Sequence, residues 1–177
     1  MGRSLRLLLA LAQIPRWGPC AAARTTAFAA VFSLASEDPS AMHTLINLGF
    51  VTTAVDTALA SGAPPRARGL AGGLMLLLVQ AEQGLADAGG WTRVEDVLIS
   101  LAGSGHPDLA LQGCRGMAWE VYRQGAAAAK SLAAKGAVNV LLTVLYRAHH
   151  AFRLERTTAS LEAHEVRRCR LTLSKSC

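Results

Sequence analysis

The sequence predicts an all-α protein, and three observations carry that expectation. First, 33 alanines and 27 leucines stand among 177 residues, and both are strong helix formers. Second, valine and isoleucine total only 14 and aromatic residues only 5%, so the residues that favour strands are scarce. Third, a Leu-x-x-x-Gly element recurs, each time followed by a fresh apolar run. A glycine there can take the left-handed conformation that ends one helix and lets the next start at a steep angle.

The elements follow in order. Met1–Gln13 reads as an amphipathic helix, with Gly2 and the Leu5–Leu11 run as a partial opening copy. Arg16-Trp-Gly-Pro19 forms a loop, and a long helix covers about Cys20–Leu34. After the polar break Ser36-Glu-Asp-Pro-Ser40 comes the first full element, from Leu45 through Gly49 to Val55. Ser61-Gly-Ala-Pro-Pro65 then leads into a long helix over Arg66–Gln80. The second element runs from Leu85 through Gly89 to Val94, and Gly103-Ser-Gly-His-Pro107 leads into Asp108–Gln124. The third runs from Leu132 through Gly136 to Leu142. Proline suits the first turn of each long helix, where its missing N–H is not needed. Gly69, Gly72, Gly73, Gly113 and Gly116 sit inside long helices. Each costs about 1 kcal/mol against alanine, so a close helix crossing is expected at those positions.

A short helix, a glycine turn, a medium helix, a proline turn and a long helix in 40–47 residues resembles the armadillo repeat. The stretch from His106 to Tyr122, continued from Ala128 to Leu142, matches it best. The resemblance covers roughly residues 2–150. It implies a right-handed α-solenoid of about three repeats, near 16–60, 61–103 and 104–150, preceded by a partial repeat. One repeat cannot bury its apolar faces alone, so neighbours stack into a continuous core. Residues 151–177 break the pattern and read as a partial capping helix with a basic tail around Arg167, Arg168 and Arg170. Ragged ends also suit a fragment or isoform of a longer armadillo-containing protein.

Charge narrows the function classes. The net charge of +6 is +4 over residues 1–36, −1 over 37–150 and +3 over 151–177. The body is balanced, so it lacks the basic stripe of a nucleic-acid binder. No run of about 18 apolar residues occurs, so no membrane span is expected. The four cysteines form no C-x-x-C, and cytoplasmic placement is expected. The acid-free, arginine-bearing N-terminus leaves an alternative, a compact helical mitochondrial protein with a presequence.

Catalytic and metal signals are weak. The five histidines have no acid or cysteine partner at ligand spacing, and no phosphate-binding glycine loop occurs. Glu95-Asp96 falls early in a helix, where the macrodipole favours acids. No enzyme activity, cofactor or metal is therefore expected. The resemblance instead implies a protein-interaction scaffold that takes a protein or peptide on the concave face of its long helices. Arg66, Arg68, Arg115, Glu120 and Arg123 are the candidate contact residues. Nuclear-import armadillo proteins carry Trp and Asn ladders on that face. The equivalent Asn positions here are Ser33, Leu77 and Glu120, and Trp119 falls one place early, so the import-cargo ladder is not reproduced.

Overall fold

A computed structural model describes residues 2–13 and 20–154 of the chain. The Arg16–Pro19 loop and the basic tail from residue 155 onward lie outside the described residues. Two compact units divide the chain, Met1–Leu141 and Leu142–Cys177.

The fold is all-helical, and no strand occurs among the described residues. The first unit opens with α1 (Gly2–Ala12) and α2 (Ala21–Glu37). Then come α3 (Ala41–Asn47), α4 (Phe50–Leu59) and α5 (Pro65–Leu78). The same order of short, medium and long recurs in α6 (Glu82–Asp87), α7 (Trp91–Ala102) and α8 (Pro107–Gln124). The short α9 (Ala126–Ala134) follows, and α10 (Ala137–Leu154) starts in this unit.

The helix ends have local causes. Gly49 and Gly89 stand between the short and medium helices and Gly136 between α9 and α10, with φ of +83°, +86° and +85°. Side chains rarely adopt that region, which is why glycine recurs there. Pro65 and Pro107 occupy the first turns of α5 and α8. Before α3, the Ser40 hydroxyl and amide donate to Asp38 Oδ1 at 2.6 and 2.9 Å. Those bonds hold the Asp38 carboxyl below its usual range.

Packing follows the order of the chain. Medium and long helices pair as α1 with α2, α4 with α5, and α7 with α8. Long helices also meet in sequence, α2 against α5 and α5 against α8, while α4 meets α7. Polar contacts join the same neighbours. Gln112 Nε2 donates to Gly69 O at 2.9 Å, linking α8 to α5. Arg93 bridges Asp56 at 2.5 Å, linking α7 to α4. Both partners of that ion pair are substantially exposed, so it contributes little. Burial does more: Phe28, Phe50, Leu74, Leu98 and Leu101 are fully buried in one continuous core, worth roughly 1.5–3 kcal/mol each. Leu5 and Ala12 of α1 join that core, and Arg24 Nε donates to Ala12 O at 3.0 Å.

The in-helix glycines sit at close crossings. A Cβ on Gly113 would lie 2.5 Å from Ala102 N and from Leu98 O, both backbone atoms of α7. A Cβ on Gly73 would lie 2.8 Å from a ring carbon of Phe32. The helices approach until only a hydrogen fits between them.

The described part of the second unit, residues 142–154, is helical throughout. Leu142, Leu145, Tyr146, Phe152 and Leu154 are exposed there. No single described helix is long and apolar enough to cross a membrane, although α9 and α10 together pass that test as a bent pair by length and composition.

Candidate functional site

The long helices α5 and α8 leave an open groove of about 450 Å³ between them. Leu76 and Gln80 come from α5 and the residue just past its end. Asp108, Leu111, Gln112, Arg115, Gly116 and Trp119 come from α8. Spacings of three, four, seven and eleven residues put Asp108, Leu111, Gln112, Arg115 and Trp119 on one helical face. Gly116 also lets α8 approach α7, because a Cβ there would meet Leu98 Cδ2. Apolar walls with a few polar groups, one cation and one anion are the usual make-up of a recognition site.

An aromatic cluster borders the groove. The Trp91 and Trp119 rings lie 6.2 Å apart and tilted by 49°. The Arg123 guanidinium sits 4.9 Å from the Trp119 centroid and 5.7 Å from that of Trp91. Each such cation–π contact is worth about 0.5–1 kcal/mol at an exposed site. Together they stack Arg123 on the Trp119 indole, which shares the groove lining with Arg115.

Behind α8, at its junction with α7 and α9, lies a buried ionic cluster. Glu95 is almost fully buried and accepts a 2.7 Å hydrogen bond from the Ser131 hydroxyl. Lys135 Nζ lies 3.1 Å from Glu95 and 2.7 Å from Asp96, and it also donates to Thr92 O. Burial works against the Lys135 charge, but the hydrogen bonds to Asp96 and Glu95 outweigh it and raise its pKa. Glu120 is 0% exposed. Its Oε1 accepts a long 3.4 Å bond from Gln124, and its Oε2 has no partner. Burial first, and repulsion from Glu95 second, push its carboxyl up to about 7, against a smaller pull from Lys135.

Two of the five sequence candidates meet at this site. Arg115 lines the groove, and Arg123 lies over the tryptophans. Arg66 is exposed on the first turn of α5 and is not among the residues that line the groove. Arg68 has a structural task. Its Nε donates to Ala58 O at 3.0 Å and its Nη2 to Ser100 Oγ at 3.0 Å, tying α5 to α4 and α7. Glu120 is a correction: expected on the contact face, it is buried against the α7–α9 side. One residue along a helix turns the face by about 100°. The correction is confined to α8. Trp119 is partly exposed where Glu120 is buried, whereas Ser33 stays exposed and Leu77 stays partly exposed. Sequence reasoning missed Trp119, Leu76, Gln80 and Gln112 as groove residues. The helical spacing from Asp108 to Trp119 was the available signal.

Replacing Lys135 with methionine is expected to cost about 2 kcal/mol, because it strands the buried Glu95 charge beside Glu120. A denaturant midpoint at pH 7 that matches wild type would contradict this. Among the described residues, no group of three His, Cys, Asp or Glu is placed to hold a metal ion. Cys114 is half-buried, and burial raises its thiol pKa, which makes it a poor nucleophile. No known protein family, curated protein or solved structure matches this chain.

Proposed function

We propose that the chain is an armadillo-like α-solenoid that works as a non-catalytic protein-interaction module. A peptide segment of a partner lies along the face of its long helices. The groove between α5 and α8, with Trp119 held beside Arg115, carries this reading. Support for the repeat comes from helix order, the left-handed glycines and the sequential contacts of α2, α5 and α8. Aromatic and arginine anchors dominate binding energy at protein interfaces. The groove's charged linings, Asp108 and Arg115, suit recognition of a polar peptide backbone and its side chains.

The test uses peptides selected on the full chain from a displayed library. Trp119→Ala and Arg115→Ala are each expected to weaken the selected peptides by roughly tenfold or more. Arg66→Ala is expected to change affinity little. Selected peptides that ignore both Trp119→Ala and Arg115→Ala would sink the proposal.

A further inference from the structure

Charge is spread unevenly along the groove face of α8. Arg115, Trp119 and Arg123 follow at intervals of four residues, so they form one row that leans across the helix. Arg115 and Trp119 line the α5–α8 groove. Arg123 carries the row past its end, over the rings of Trp119 and Trp91. Both arginines are exposed. A guanidinium over an aromatic ring still has N–H groups to offer a carboxylate, in a fork that suits its two oxygens.

No anion of the chain answers this row. Among the described residues, neither arginine has an ion-pair partner. The acids of α7 and α8 are engaged or turned away. Glu95 and Asp96 hold Lys135, and Glu120 is fully buried on another face of α8. The remaining acid, Asp108, lies seven residues before Arg115, about 10 Å along the helix axis. Arg123 stands in the last turn of α8, where the helix dipole favours a cation. Arg115 is in the middle of the helix, where that reason does not apply. Arg68 is the contrast, since the chain itself supplies its acceptors, Ala58 O and Ser100 Oγ.

We propose that the partner segment taken by this face is extended and acidic, with Asp or Glu at two positions four residues apart and a bulky apolar residue midway. The proposal rests on reading the α5–α8 groove as a peptide site. The eight residues from Arg115 to Arg123 rise about 12 Å, and four residues of extended chain span about 13 Å. One carboxylate then meets each guanidinium, while the apolar residue between them covers Trp119. Charge-assisted pairs of this kind set register and the choice of partner. Leu76, Leu111 and Asp108 share the groove and favour a peptide over single-stranded nucleic acid, whose next phosphates would face the Asp108 carboxylate.

The test titrates the full chain with two short labelled peptides in a Gly/Ser background. One carries Glu, Leu and Glu at alternate positions, and the other replaces both Glu with Gln. The Glu peptide is expected to bind about tenfold more tightly, a margin that shrinks in added salt. Arg115→Gln and Arg123→Gln, both at exposed positions, are each expected to remove most of that margin. Arg115→Glu is expected to restore binding to a peptide with Lys in place of one Glu, and which Glu it is gives the direction of the segment. A Gln peptide that binds as tightly as the Glu peptide and still depends on Trp119 overturns the acidic segment and leaves the peptide site standing. A Glu peptide that fails to saturate, or that ignores both glutamine variants, also overturns the proposal. Binding of both peptides that Trp119→Ala leaves unchanged sinks the peptide site with it. An oligothymidylate that outbinds the Glu peptide and is lost in Trp119→Ala overturns the proposal in favour of a nucleic acid.

Discussion

Gly113→Ala is expected to lower the stability of the chain by about 2 kcal/mol. The new Cβ would stand 2.5 Å from Ala102 N and Leu98 O. Those are backbone atoms, so no side chain can rotate away. Forcing a carbon into a packed contact costs typically 1–3 kcal/mol, and about 3 where backbone must move. Better helix propensity returns about 1 kcal/mol. For a chain of this length, the melting temperature should drop by about 4–8 °C. Gly103→Ala provides the contrast. Gly103 has φ of −76°, and its Cβ would touch nothing closer than 3.4 Å. A gain of about 0.4–1 kcal/mol is expected there, through the unfolded chain. Equal melting shifts for the two variants would refute the close crossing of α7 and α8.

The second large effect concerns Glu120 and pH. Its carboxyl titrates at about 7 in the folded chain, against a reference of 4.5. The folded state therefore binds this proton more tightly than the unfolded state. Stabilisation is complete below about 4.5 and is lost as the pH rises through 7. The move corresponds to on the order of 3 kcal/mol. Glu120→Gln keeps the shape and removes the titration. Its stability advantage over wild type should stay under about 1 kcal/mol at pH 5 and reach on the order of 3 kcal/mol at pH 8. Urea unfolding of both proteins at the two pH values gives that difference directly. An advantage that is the same at pH 5 and pH 8 would show that Glu120 does not titrate in this window.

Helix order was legible because its punctuation is local. Gly49, Gly89 and Gly136 each sit where the backbone turns left-handed, and Pro65 and Pro107 each mark a first turn. Such signals act within a few residues and need no knowledge of the rest of the fold. The site was legible only in part. Arg115 and Arg123 read as exposed cations on a long helix, and both reach the aromatic groove. Arg68 looks the same in sequence, but its partners are the carbonyl of Ala58 and the hydroxyl of Ser100. Nothing in those residue types marks them as a guanidinium site. Glu120 misled for a different reason: its burial depends on the exact rotation of α8. A tryptophan and a glutamate at adjacent positions leave that rotation open until α7 and α9 are in place.

The sequential contacts have a consequence for how the chain folds. Every substantial helix contact joins elements no more than three apart in the chain. No step requires distant ends to find each other, so little loop-closure entropy is spent before contacts form. Growth can start at the α4–α5–α7 centre, where each arriving helix finds a finished neighbour. Opening should run the other way, from the termini inward, as a graded fraying in place of one all-or-none collapse.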